Sequence, residues 1–510
     1  MSDSDRKPSA WYGVGVSEKV GTDDGGKSTG EAHTHVRINS LLYTMATIPG
    51  AEVAQHNTTE SCWIVIHGAV WDVTDFLSEH PGGRALIFKS AGEDATASYD
   101  EVHEPDLVTR ILSPEACLGT VDATTLPQEA SKAQKQGSTK YPPLNTVVSV
   151  ADFEKIAQSF LTPTGWAYYS SGADDEYSID DAFQSFRQIL LRPRVLRQVE
   201  PISTGTTILG CPVSLPIYFS PTGIGRYAHR DAECIMAAVA GKERLVYCMP
   251  TSASWESVCN ARSARDQPLF FQLYTGRDKE YTKSLLRTVK NLGVATIFLT
   301  VDSPVLGKRE RDDRVRAADG EDTVTASAGG VAKATSKGLL NPLLSWDDIG
   351  WIRDATGLPL VLKGVQTVED VVLAHLHGLD GVVLSNHGGR SQDTAQSPMT
   401  TLLEIRRYAP HLLSPSIRHK FQVFIDGGVR RGTDVIKALA LGATAVGIGR
   451  PVLYSMCAGY GDKGLHRLVQ ILRAEVETNM ALVGATNVKE LVPEMVNTER
   501  AEAGVSRRVK

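Results

Sequence analysis

The 510-residue sequence contains no apolar run approaching the roughly 18 to 20 residues that a membrane-spanning helix needs. Its N-terminus has neither the basic flank nor the continuous apolar stretch of a secretory signal. Both absences point to a chain that stays in solution, with no membrane partner. Basic charge is not in excess either: 53 Lys and Arg stand against 59 Asp and Glu, a formal net charge of −6. Such a balance offers no electrostatic footprint for nucleic acid, so small molecules or proteins are the expected partners. The seven cysteines are odd in number and scattered, with no CxxC pair, which argues against a disulfide framework and fits a reducing compartment. Mitochondrial transit peptides are poor in acids, whereas the first fifty residues carry Asp3, Asp5, Asp23 and Asp24. No clear targeting sequence is present, and the cytoplasm or the mitochondrial intermembrane space is the expected compartment.

What is there reads as a folded, multi-part protein. With 42% hydrophobic and 22% charged residues the chain is too apolar to be disordered, and its length is about three typical domains. Residues 1–50 are rich in Gly, Ser, Thr and Asp and carry few apolar side chains before Leu41, too little to offset the entropy of ordering, so a disordered tail is expected. Residues 51–122 hold the apolar stretch CWIVIHGAVWDV, a sharp HPGG turn and a helical segment from Arg84, a small α+β unit. Residues 123–145 are polar and contain proline without any apolar period, which predicts a hinge linker. A large domain then runs from 146 to 497, followed by an expected C-terminal tail, 498–510.

In the large domain eight β-rich runs alternate with helical patterns. The runs are LPIYFSPTG (215–223), RLVYCMPTS (244–252), PLFFQLY (268–274), ATIFLTVDS (295–303), PLVLKGV (359–365), GVVLSNHGG (381–389), QVFIDGGV (422–429) and AVGIGRP (445–451). Intervening stretches such as YTKSLLRTVKNLG and GTDVIKALALG are helical, several closed by Gly. Eight βα units in about 300 residues predict an α/β fold of the (β/α)8 TIM barrel type; an open doubly wound sheet is the rival arrangement, but eight is the barrel's number. In barrels the chemistry sits where the strands end. After the fourth run, residues 318–337 are small and polar and exceed an ordinary βα connection, which reads either as an active-site lid or as a tolerated insertion.

Several strand ends carry chemistry. The seventh ends in DGGVRRGTD and the eighth in GIGRP, where glycines let backbone N–H groups approach an anion and Arg430 and Arg450 can neutralise it. Turn chemistry with solvated arginines is the plainer alternative. Lys363 ends a strand expected to be buried on both faces, so an anion must meet it, either a ligand ring that gains charge on reduction or a carboxylate partner. His387 and Arg390 lie at the end of the sixth run and Asp302 at the end of the fourth. A histidine oriented by a carboxylate is the design of a general base, and arginine grips a carboxylate bidentately, so proton abstraction from a carboxylic acid is the expected chemistry. In the small unit, His80 precedes Pro81, Gly82 and Gly83, and His103 follows AGEDATASYDEV. Two such histidines can take both axial positions of a haem iron, while zinc binding or a surface location remains the alternative.

The HPGG turn, the AGEDAT segment and the second histidine together closely resemble cytochrome b5 domains over residues 51–122. Residues 146–497 resemble the FMN-dependent 2-hydroxyacid dehydrogenase and oxidase family through WAYYSSGADDE, FQLY, TVDSPVLGKRE, LVLKGVQ, VVLSNHGGR and FIDGGVRRGTDVIKALALGA followed by GIGRP. In this order the two modules resemble the flavocytochrome b2 type. The resemblance implies oxidation of an L-2-hydroxy acid, L-lactate or a larger analogue, to the 2-keto acid by FMN. Electrons would then pass through haem b, ligated by His80 and His103, to cytochrome c or a similar one-electron acceptor, in a homotetramer. It implies that His387 is the base, supported by Asp302, that Arg390 and Tyr168 hold the substrate carboxylate with Arg309 adding positive charge, and that Tyr274 hydrogen-bonds the substrate hydroxyl. It further implies that Lys363 stabilises reduced flavin and that FMN meets Pro221, Thr222, Gln272, Thr300, Lys363, Ser385, Asp426, Gly428, Arg430, Gly449 and Arg450.

The sequence departs from the family pattern in three places. Pro250 replaces a serine that contacts the flavin, Ile111 replaces a haem-domain tyrosine, and Gly223 and Ser252 replace an alanine and a leucine that narrow the substrate pocket. The last pair predicts a wider, more polar pocket. Two other functions are compatible with the residues: an oxygen-using oxidase with a vestigial haem domain, and a haem electron-transfer module on a silent barrel.

Overall fold

The structure is a computed structural model and describes residues 46–80, 84–100, 103, 105, 107–122, 124–125, 141–318 and 340–506. The tail up to 45, the hinge stretch 126–140 and the candidate lid from 319 lie outside the described residues. The chain divides into two compact units.

The small unit is built on a five-stranded sheet of order β1-β5-β4-β3-β2, formed by β1 (Thr47–Pro49), β2 (Asn57–Thr58), β3 (Ser61–Ile66), β4 (Ala69–Asp72) and β5 (Cys117–Asp122). His67 and Gly68 turn β3 into β4 with φ of 50° and 78°, the paired left-handed conformation of a two-residue hairpin whose twist matches its strands. That register buries Val65 opposite Val70 and leaves Trp63 opposite Asp72. The expected tail is shorter than the composition suggested. Thr47–Pro49 runs parallel to β5, and Gly50 N donates to Thr125 Oγ1 at 2.6 Å, so backbone pairing rather than apolar content orders this stretch.

The large unit is a closed barrel of eight parallel strands: β9 (Ile217–Phe219), β10 (Val246–Met249), β11 (Leu269–Leu273), β12 (Val294–Thr300), β13 (Leu360–Val365), β14 (Gly381–Leu384), β15 (Gln422–Asp426) and β16 (Ala445–Ile448), with β16 returning to β9. Each falls within one of the eight runs, and β9 to β16 are buried throughout except at Ala295 in β12. Inside, the Phe298 ring lies 5.9 Å from Tyr218, 5.4 Å from Phe270 and 6.1 Å from Phe424, so the barrel is filled, not hollow. A hairpin of β7 (Thr206–Ile208) and β8 (Cys211–Val213) adds Ile208 and Val213 to that interior.

Helices cover the outside. Lys279–Asn291 shows why: Asp278 caps it by accepting from the N–H groups of Glu280 and Tyr281, and Thr282, Leu285, Leu286 and Val289 form one buried stripe. Two boundaries move outward from the expected domain. The hinge ends before Tyr141, which packs against the barrel core. The C-terminal tail is also packed: β17 (Val496–Asn497) pairs with β6 (Leu190–Leu191), helix Glu499–Glu502 buries Ala501, Val505 is 5% exposed, and Tyr408 Oη donates to Ser506 O at 2.7 Å.

Candidate functional site

The carboxyl ends of the barrel strands surround one cavity, and most of the sequence-derived candidates line it: Tyr168, Pro221, Thr222, Gly223, Ser252, Gln272, Tyr274, Thr300, Arg309, Lys363, His387, Arg390, Asp426, Gly428, Arg430, Gly449 and Arg450. Asp302 and Ser385 stand behind this wall, each bonded to residues in it.

Three ionisable groups at the ends of β12, β13 and β14 form the centre. His387 Nδ1 lies 2.8 Å from Asp302 Oδ1. Burial alone would raise the Asp302 carboxyl, but His387 and Lys363 beside it outweigh burial and hold it at about 2. Asp302 is therefore an ionised acceptor, Nδ1 carries a proton toward it, and Nε2 is the nitrogen left to accept one. Burial lowers the His387 pKa below the ordinary imidazole value against the opposing pull of Asp302, with Lys363 and Arg309 lowering it further, so the ring is neutral at pH 7.

Lys363 has carboxylate partners, one of the two kinds of anion expected for it. Its Nζ donates to Ser385 Oγ at 3.0 Å and lies 3.6 Å from Asp302 Oδ2 and 3.5 Å from Asp426 Oδ2. Burial opposes its charge, yet Asp426 and Asp302 raise its pKa above the ordinary lysine value.

On the opposite wall two guanidinium groups face the cavity. Arg390 stacks on Tyr168, its Cζ 4.8 Å from the ring centroid. Arg309 is only 5% exposed, its Nε has no hydrogen-bond partner, and burial together with Arg390 pushes its pKa down to about 9. A buried cation beside another cation is costly without a counter-ion, and the charge of the buried Asp312 offsets that cost in part. Burial and the charge of Asp302 push Tyr274 up to about 12, so it enters the site as a neutral phenol.

The ends of β15 and β16 supply the second anion-binding region. Gly427 and Gly428 have φ of 82° and 77°, and a Cβ on Gly428 would stand 2.5 Å from Ala182 O, so only glycine fits there. Arg430 is clamped: its Cζ lies 4.9 Å over the Phe183 ring, its Nε is 3.7 Å from Glu154 Oε2, and Nη1 donates to Val429 O at 3.3 Å. Arg450 differs from expectation, since it donates to Tyr169 O, Gly388 O and Ser171 O at 2.8, 2.9 and 3.0 Å. Three donors spent on carbonyls make it first a brace for this wall, with its charge reaching the cavity edge. Gln272 Nε2 donates to Thr300 Oγ1 at 3.0 Å and its Oε1 accepts from Thr251 N at 3.2 Å, which fixes the amide orientation.

Sequence reasoning passed over Ser220, Asn386, Thr251 and Ser303. Ser220 and Asn386 lie inside quoted strand ends, and Ser220 Oγ and Asn386 Nδ2 are buried without hydrogen-bond partners. Orphaned polar atoms beside a glycine cradle and a fixed lysine suit a polar, planar, phosphorylated group, and the residues present fit FMN.

A match to the FMN-dependent dehydrogenase model covers residues 157–498, and one to the cytochrome b5-like haem/steroid binding domain covers 50–122. The chain belongs to the FMN-dependent dehydrogenase family. This dehydrogenase is 39% identical to an L-lactate dehydrogenase (cytochrome) of Wickerhamomyces anomalus, over 88% of this chain and 79% of that one. It is 37% identical to the L-lactate dehydrogenase (cytochrome) of Saccharomyces cerevisiae, over 89% and 80%. Among solved structures, a leucine-to-alanine variant of flavocytochrome b2 with benzoylformate aligns with a TM-score of 0.66 and 36% identity, over 74% of this chain and 93% of that one.

In the b5-like unit the His80 and His103 rings lie with centroids 6.0 Å apart. The two rings lie close enough that both could hold one haem iron, which would supply one-electron chemistry there. Among the described residues no group of three or more His, Cys, Asp or Glu is gathered that could hold a metal. Nor is any described helix long and apolar enough to cross a membrane.

Proposed function

We propose that this dehydrogenase oxidises an L-2-hydroxy acid, L-lactate or a larger analogue, to the 2-keto acid and delivers the electrons singly to cytochrome c or a similar carrier. The observation that carries the reading is the 2.8 Å His387–Asp302 pair at the barrel mouth, with Arg390 and the buried Arg309 lining the same cavity. FMN in the barrel supplies the two-electron chemistry and haem b, on His80 and His103, the one-electron steps.

The chain's own residues do the rest. Arg390 and Arg309 grip the substrate carboxylate, with Tyr168 supporting the Arg390 plane. Tyr274 hydrogen-bonds the 2-hydroxyl. His387 takes the substrate proton at Nε2, and Asp302, already ionised, stabilises the imidazolium that forms. Lys363 keeps a fixed positive charge beneath the reacting groups. Pro221, Thr222, Gln272, Thr300, Ser385, Asp426, Gly428, Arg430, Gly449 and Arg450 hold FMN, its phosphate toward Arg430.

A basic acceptor is supported by the small unit's charge, since residues 46–125 carry thirteen acidic and three basic side chains. The flavocytochrome b2 variant that holds benzoylformate, a bulky aromatic 2-keto acid, has an alanine in place of a leucine, so the smaller Ser252 in place of a leucine supports a pocket that takes more than lactate. A homotetramer is part of the same proposal. The proposed domain limits are 46–125 and 141–506, and the proposed compartment is the cytoplasm or the mitochondrial intermembrane space.

The test is anaerobic addition of L-lactate and larger 2-hydroxy acids to the purified protein with visible spectra recorded. Joint bleaching of flavin and reduction of haem is the expected result. Flavin reduction alone would favour an oxygen-using oxidase, and no reduction by any 2-hydroxy acid would overturn the reading.

A further inference from the structure

Ser303 follows Asp302 directly and sits among the reacting groups without a role so far. Its Oγ lies 3.2 Å from Asp302 Oδ1, 3.4 Å from His387 Nδ1 and 3.3 Å from Ser391 Oγ. Donor and acceptor accounting settles the direction of these contacts. An ionised Asp302 only accepts, and the single Nδ1 hydrogen of His387 is committed to it, so Nδ1 cannot accept from Ser303. The strongest acceptor within reach of the Ser303 hydrogen is then Asp302 Oδ1. One carboxylate oxygen thus receives two donors, and the Ser303 oxygen is left to accept from the hydroxyl of Ser391.

We propose that Ser303 is a positioning residue that tunes the base: by sharing Asp302 Oδ1 with His387 it weakens the carboxylate's hold on the imidazole proton and limits how strongly His387 retains the proton it takes. This rests on the reading of His387 as the base. The charged groups acting on His387 are Asp302, Lys363 and Arg309, with Tyr274 and Arg390 lining the same cavity, and of these Asp302 accepts a hydrogen bond from Ser303.

Removing the Ser303 hydroxyl leaves Asp302 Oδ1 to His387 alone, stabilises the imidazolium and moves the acid limb of flavin reduction to higher pH. A hydrogen bond of ordinary net strength corresponds to a shift on the order of half a pH unit. The experiment measures the rate of anaerobic flavin reduction of the holoenzyme against pH for wild type, Ser303→Ala, Ser303→Thr and His387→Gln. The expected result is an upward shift of the limb in Ser303→Ala and its return in Ser303→Thr, which keeps a hydroxyl. A limb that stays in place in Ser303→Ala, or moves down, overturns the proposal, whatever happens to the plateau rate. Persistence of the limb in His387→Gln would instead overturn the base assignment on which it rests.

Discussion

His387 adopts φ of 59° and is followed by Gly388 and Gly389 at 66° and 76°, three left-handed residues in a row. For histidine that conformation costs on the order of 1 kcal/mol, and it persists only where surrounding structure enforces it. Here the enforcers are Ser385 Oγ, which accepts from His387 N at 3.2 Å, and Asn386 Oδ1, which accepts from Gly389 N at 3.0 Å. The turn lifts the imidazole from the line of β14 and sets it against Asp302. Loss of the proposed base therefore has a defined cost. His387→Gln retains bulk and polarity but not basicity, and the rate of flavin reduction should fall by about 10² to 10⁴, the range for a positioned base, with the flavin spectrum still present. Stopped-flow reduction checks this, and rates like those of the wild type would remove His387 from the mechanism.

At the scale of elements, each strand contributes one end to the cavity, and neighbouring ends act together. Gly223 and Ser252 follow β9 and β10, which are paired, and a Cβ on Gly223 would lie 2.7 Å from Ser252 Oγ. The two positions therefore change as a couple. Gly223→Ala with Ser252→Leu adds a methyl group and an apolar wall, and each methylene of fit is worth roughly 1 to 3 kcal/mol in discrimination. Wild type should use 2-hydroxyisocaproate and mandelate in competition with L-lactate, and the double variant should shift kcat/KM toward lactate by about tenfold or more. A wild-type preference for lactate left untouched by both changes would show that this couple does not shape the pocket.

The Arg430 clamp draws on other elements. Phe183 comes from helix Tyr177–Arg187 and Glu154 from helix Val150–Phe160, both preceding the barrel strands. If Arg430 meets the FMN phosphate, Arg430→Gln should weaken FMN binding to the apoprotein by about tenfold to a hundredfold, the worth of a charge-assisted hydrogen bond, and leave riboflavin binding unchanged. Fluorescence titration with both flavins distinguishes this from general damage, which would weaken both equally.

This clamp also marks the limit of what the sequence makes legible. β9 to β16 are readable because a strand covered on both faces must be a continuous apolar run, and a polar residue such as Lys363 or Asp302 at its end then stands out. Arg430 stands out for the same reason, whereas Phe183 and Glu154 lie on amphipathic helices whose pattern accounts for them without any site. Arg450 was legible as a charge near the site, but its three carbonyl partners come from residues 169, 171 and 388, a convergence that only the closed fold creates.

The whole molecule joins two units with separate cores. The b5-like core gathers Cys62, Ile64, Ile66, Trp71, Val73 and Leu77, while the proposed base and substrate-gripping residues belong to the barrel. The His80 and His103 rings, 6.0 Å apart, belong to the small unit. Electron delivery and substrate oxidation are then separable by a single substitution. His103→Ala removes one of the two proposed haem ligands, so the low-spin haem spectrum should vanish, while L-lactate or a larger 2-hydroxy acid still bleaches the flavin at close to the wild-type rate. Steady-state reduction of cytochrome c should collapse in the same variant, because the two-electron chemistry has lost its route to a one-electron carrier. Retention of low-spin haem would remove His103 as a ligand. Failure of the variant to reduce its flavin, with haem lost, would mean that the small unit takes part in the chemistry of the barrel and that the two are not functionally modular.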